Sequence, residues 1–99
     1  QVYADAYIES VDRLLAWYPD AEIFAVSSPM LGDNWPAGDT RRTDLIEALA
    51  LVEAHYTDQV HAVTISQQQG LGCGTHPNVA QAAATATELT NAIKPIMGW

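Results

Sequence analysis

Val60-His61-Ala62-Val63-Thr64-Ile65, followed by Gly70-Leu71-Gly72-Cys73-Gly74-Thr75-His76-Pro77-Asn78, is the stretch from which the rest of the chain can be read. The first part is a short, largely apolar run rich in β-branched residues and reads as a strand. After the second part, apolar positions fall at helical spacing. A helix is therefore expected over residues 78–94, with Val79, Ala80, Ala83, Ala86, Leu89 and Ile93, and then Ile96 and Met97, on one side. Pro95 is expected to limit it. Between strand and helix, Gly70, Gly72 and Gly74 permit a close backbone approach to a ligand, and Pro77 offers a preset first helical residue. His76 thus falls at a loop-to-helix junction just past a strand's carboxyl end, where open α/β sheets bind ligands. The position suits a general base. A helix-start residue whose ring bonds the backbone is the other reading of the same histidine.

Working outward, residues 3–18 place Tyr3, Tyr7, Ile8, Val11, Leu14, Leu15 and Tyr18 at intervals of three and four, one face of an amphipathic helix that Pro19-Asp20 ends. Residues 22–27, Glu-Ile-Phe-Ala-Val-Ser, form a nearly continuous apolar run, the mark of a strand covered on both faces. Residues 28–40 hold Pro29, Gly32, Pro36 and Gly38 among Asp33, Asn34 and Asp39 and read as a long loop. Asp39 or Thr40 can cap the next helix, expected to reach about Tyr56 with Leu45, Ile46, Leu49, Val52 and Tyr56 inward. The order is helix, strand, helix, strand, helix, without repeat or linker, which predicts an α/β layer structure with parallel strands and right-handed crossovers. Two strands that both read as buried need further strands beside them, so the unit looks incomplete.

The composition narrows the function. Of 99 residues, 48% are apolar and 16% charged, as in one small globular unit. A net charge of −8 with only four Lys and Arg argues against nucleic acid or an anionic bilayer as partner and favours a neutral substrate. No run is long and apolar enough for a membrane span. Cys73, the only cysteine, is either a buried free thiol or half of a bridge to something outside the chain. His55 and His61 lack the spacing of metal ligands, so neither a metal nor another cofactor is expected. His55 reads as a surface residue and His61 as a satisfied strand residue. Trp35 lies in the loop after the first strand, on the same rim as His76. It can stack on a sugar ring, with Asp33, Asn34 and Asp39 near enough in sequence to bond hydroxyls, or fold down over the core.

Gly72-Cys73-Gly74-Thr75-His76-Pro77-Asn78 resembles the last conserved block of the SGNH (GDSL-type) hydrolases, especially their carbohydrate esterase branch, the acetyl xylan esterases among them. The preceding order matches too: a helix, Pro19-Asp20-Ala21-Glu22 leading into a strand, Ser28-Pro29-Met30 at its end, then another helix and strand. The resemblance implies that residues 1–99 are the C-terminal portion of a single flavodoxin-like, three-layer α/β/α domain. It implies a secreted serine esterase that removes acetyl groups from a polysaccharide, with His76 as the catalytic histidine. The family's nucleophilic serine and its oxyanion-hole glycine and asparagine lie in blocks that this sequence lacks. Ser27, Ser28 and Ser66 do not have the nucleophile's context, so those groups are expected in a missing N-terminal half or in a second chain, for which Cys73 offers a point of linkage. The family also places an aspartate two or three residues before its histidine, where this chain has Gly74 and Cys73; a backbone carbonyl steering a serine-histidine dyad is the expected substitute. The same fold also accommodates a non-catalytic carbohydrate-binding or interaction module, and a lipid or aryl esterase.

Overall fold

The computed structural model describes residues 1–34 and 36–99. Three helices and two strands follow in the expected order: α1 (Val2–Trp17), β1 (Ile23–Val26), α2 (Arg41–His55), β2 (Val60–Val63) and α3 (Val79–Met97). The strands pair in parallel, Ile23 with Val60 through Val26 with Val63. Both are shorter than the apolar runs that predicted them: the Ser27 N–H still donates to the Val63 carbonyl (2.9 Å), but the Ile65 N–H then donates to the buried Ser27 hydroxyl (3.0 Å) rather than to a strand carbonyl, and the ladder goes no further.

The core lies between α1, α2 and one face of the sheet. Ala4, Val11, Ala48, Val52 and Val60 form its centre, with Tyr7, Ile8, Leu15, Ile23 and Tyr56 packed around them. On α1 the contact stripe is narrower than the periodicity suggested: Tyr3, Leu14 and Tyr18 are exposed, since small Ala4 lets α2 approach along a line through residues 4, 8, 11 and 15. Tyr56 closes the far end. Its hydroxyl donates to the Asp12 carboxylate (2.7 Å), with the Ile8 carbonyl 3.0 Å away, and burial together with Asp12 pushes its ionisation far above the ordinary value. Gln59 ties the start of β2 to the preceding turn through the Pro19 (2.6 Å) and Ala21 (3.1 Å) carbonyls.

The two sheet edges differ. Ile23 and Ser27 donate to Gln59 and Val63 across the ladder, so the intervening Phe24 and Val26 turn their backbone groups to the outer edge of β1. On the opposite edge, the Ala62 N–H is capped by the Glu53 carboxylate of α2, a side chain standing where another strand would pair. On the face away from α1 and α2, Phe24 and His61 stack at 5.2 Å, and His61 Nε2 meets Glu22 at 3.1 Å. His61 is thus satisfied as a strand residue, and His55 is exposed on α2.

Helix α3 departs most from expectation. It buries no residue completely; Val79 is 88% exposed and Ala80, Ala83 and Ala86 face solvent. Its inner stripe is polar, Gln81, Thr85 and Glu88, continuing into half-buried Leu89, Ala92 and Ile93. The reason is its partner. The helix lies along the loop after β2, whose backbone needs hydrogen bonds rather than apolar cover. Ser66 N–H donates to Glu88 (2.9 Å), and the Gln68 amide donates to the Thr85 hydroxyl (2.9 Å) and the Gln81 carbonyl (3.2 Å). The helix also begins later and ends later than predicted. Asn78 is its N-cap, so Pro77 stands outside the helix and is not its first residue. At the other end the helix runs through Pro95 to Met97 and closes on Gly98 in the left-handed region, φ 72°. Proline is tolerated there because the carbonyl that its missing N–H frees belongs to Asn91, an exposed residue whose backbone can bond water.

Stability tests follow from this packing. Leu49, 2% exposed, is expected to cost about 3 kcal/mol on truncation to Ala, and Tyr56→Phe about 1 kcal/mol, in urea unfolding of the protein. Two carboxylates are held below their ordinary values: Asp33 by the Thr43 hydroxyl (2.7 Å) and N–H (3.0 Å), Glu88 by the Ser66 hydroxyl and N–H. A carboxylate with a lowered folded value stabilises fully above its unfolded value and loses that contribution as pH falls through the folded one. The urea midpoint should therefore fall below about pH 4.5, the ordinary Glu value, and fall less steeply in the Asp33→Asn/Glu88→Gln double variant.

Candidate functional site

Both strands end on the same rim, and the site is built from the loops and helix starts beyond them. Arg42, in the first turn of α2, spans the two strand ends: one guanidinium nitrogen donates to the Ser28 carbonyl (3.1 Å), another to the Ile65 carbonyl (2.7 Å). The Gln68 N–H donates to the Pro29 carbonyl (2.8 Å), so the loops leaving β1 and β2 are joined directly as well. The Met30 N–H is held by the Ser28 hydroxyl (3.1 Å).

From here the chain folds back on itself to present His76. Cys73–Thr75 make a short 3-10 turn, and His76 follows in extended backbone, its N–H donating to the Cys73 carbonyl (3.1 Å) and its carbonyl accepting from Gly72 (2.7 Å). Gly70 and Gly72 are required by this fold-back. A Cβ on Gly70 would collide with the Thr75 carbonyl, and one on Gly72 would stand 2.8 Å from the His76 carbonyl oxygen. Gly70 and Gly72 thus approach the loop's own backbone. Gly74 (φ 61°) and Thr75 (φ 63°) are both left-handed. For a β-branched threonine that conformation is strained by about 1 kcal/mol or more, and such strain collects at functional sites. The imidazole is exposed and lies over Gly74, where a Cβ would come 3.6 Å from ring Cδ2.

Beside the loop opens a cleft of about 560 Å³ lined by Met30, Gln67, Gln68, Gln69, Gly70 and Thr75. Its polar groups are neutral amides, hydroxyl and backbone, able to donate and accept hydrogen bonds without charge. Cys73 is a free and exposed thiol, so the buried reading of it is wrong: set between Gly72 and Gly74 in a surface turn, it is left open to solvent. The Trp35 expectation lies outside the described residues.

Three residues to which the sequence gave no binding role, Arg42, Gln68 and Gln81, hold the rim and the loop that carries His76. Only Gln81 carried a local signal, the Asn78-x-x-Gln81 spacing of a capping box, and both halves of that box form, each at 2.9 Å.

No protein-family model matches the chain, and no curated protein does. Among solved structures, it is similar to a carbohydrate esterase family 2 enzyme of Corynascus thermopiles (Myceliophthora fergusii), determined with a carbohydrate-binding domain. The identity is 34% and the TM-score 0.92. The match takes in 99% of this chain and 30% of the other, so this sequence spans under a third of the enzyme it resembles. The resemblance carried by Gly72 to Asn78 therefore extends over the whole backbone, and the architecture is that of a segment of an SGNH-type carbohydrate esterase.

Proposed function

We propose that the chain is the C-terminal portion of a secreted serine esterase that removes acetyl groups from a polysaccharide, and that it supplies the catalytic histidine, His76. The observation that carries this reading is an exposed imidazole on the carboxyl rim of a parallel sheet, held by a strained loop whose glycines fix its backbone from both sides. The similarity to a carbohydrate esterase makes ester hydrolysis the chemistry to expect of it. His76 takes the proton from a serine hydroxyl as that oxygen attacks the ester carbonyl, then returns it to the departing sugar alkoxide. The serine and the oxyanion donors come from the remainder of the domain. That remainder adds its strands along the outer edge of β1, the edge left open, while Glu53 ends the sheet at β2. With Gly74 and Cys73 where a carboxylate would orient the ring, a backbone carbonyl of the loop takes that part. The amide-lined cleft and the net negative charge suit a neutral carbohydrate chain.

The remainder is either a preceding segment of the same polypeptide or a second chain bridged through exposed Cys73. Denatured intact mass with and without reductant distinguishes these. A species above 10.7 kDa that falls on reduction means a bridged chain.

In the protein that unites both portions, acetate release from acetylated xylan and from an aryl acetate is expected, and His76→Ala should lower kcat by about 100- to 10,000-fold on both. Retained activity in that variant would exclude His76 as the base. Binding of acetylated xylan without acetate release would identify a carbohydrate-binding module instead. Gly70→Ala, which displaces the Thr75 carbonyl and with it the His76 backbone, should lower kcat by about 10- to 100-fold, since misplacing a reacting group by about 1 Å costs on the order of 100-fold.

A further inference from the structure

The backbone before His76 and the backbone after it meet at one side chain. The Gln81 amide nitrogen donates to the Gln69 carbonyl, and its oxygen accepts the N–H groups of both Leu71 (3.0 Å) and Asn78 (2.9 Å). The Gln81 main chain adds two more ties: its N–H donates to the Asn78 side chain (2.9 Å), and its carbonyl accepts from Gln68 (3.2 Å). Every one of these partners lies in the segment that carries His76 or at its ends. Among the described residues, the histidine itself is held through its neighbours' backbone, from Gly72 and to Cys73. A loop fastened on one side alone would leave the imidazole free to swing with the left-handed pair Gly74-Thr75, whose strain favours release.

We propose that Gln81 is the positioning residue of the His76 site, a carboxamide clamp that fixes where the imidazole stands. This rests on the esterase reading given above. A carboxamide is required because the site needs a donor for the Gln69 carbonyl and an acceptor for two N–H groups at once. Glutamate supplies the acceptor and preserves the helix cap but sets a carboxylate against the Gln69 carbonyl oxygen. Methionine fills similar space and supplies neither. The clamp acts through the loop and touches no reacting atom, so its loss should fall on kcat and spare substrate binding in the adjacent cleft.

The test uses the complete esterase, labelled with 13C-histidine, in wild-type, Gln81→Glu and Gln81→Met forms, with His76→Ala for assignment and as activity control. Aryl acetate kinetics, ring NMR signals and melting temperature are read on each. Gln81→Met is expected to lower kcat by about 10- to 100-fold with KM within about twofold, and to split or broaden the His76 ring signals. Gln81→Glu, which keeps the cap, is expected to melt with the wild type yet lose about 3- to 10-fold in kcat, with the His76 signals displaced. Should the methionine variant not fold, the glutamate variant decides alone. A kcat within about twofold of wild type together with unmoved His76 signals overturns the proposal. If the wild type lacks hydrolysis, or His76→Ala keeps it, the esterase reading falls, and the NMR signals alone then decide on the clamp: splitting or displacement upholds it, and a single unmoved set overturns it.

Discussion

Two parallel strands that stop on one rim leave their last carbonyl and N–H groups with no ladder to continue, and most of the structure beyond the core answers that demand. Arg42 takes a carbonyl after each strand, the Ser27 hydroxyl takes the Ile65 N–H, Glu88 takes the Ser66 N–H, and Gln68 bridges to Pro29. Unpaired and buried, such groups would cost on the order of 1–3 kcal/mol each. Because the partners come from α2, α3 and both loops, satisfying the strand ends also assembles the rim. Site and scaffold are joined by the same hydrogen bonds.

The loop that presents His76 extends this logic to a segment without regular structure. Its tight return requires bare Cα positions at 70 and 72 and left-handed backbone at 74 and 75. Gly74 accepts that conformation readily, whereas Thr75 does so only under the surrounding ties. Polar side chains of α3 provide many of those ties, which is why the inner stripe of that helix is Gln81, Thr85 and Glu88 rather than alanine and valine. Helix α3 is therefore less a cover for a hydrophobic core than a rack on which the His76 loop is hung.

Apolar surface is also left outside the core. Trp17, Leu71, Val79 and Trp99 are each more than two-thirds exposed, and the Phe24–His61 face of the sheet has only partial cover. Such surface on a small unit indicates partners. With one strand edge open and the other capped by Glu53, the sheet can grow in one direction only, in keeping with a chain that matches 30% of a larger esterase.

The sequence by itself determined the element order, the parallel pairing and the loop-borne histidine, because these follow from local periodicity, turn chemistry and the need of both strands for crossover helices. It determined the resemblance too, since seven consecutive residues, Gly72 to Asn78, carried it. Only the tertiary structure decided which face of α3 turns inward, what the glycines approach, that Cys73 is exposed, and that Arg42, Gln68 and Gln81 hold the rim. Those outcomes depend on which backbone groups are left unpaired once the strands have met. An apolar pattern records where oil is buried; it holds no record of which N–H and C=O groups, brought together from residues 28, 65, 69 and 71, will need a partner.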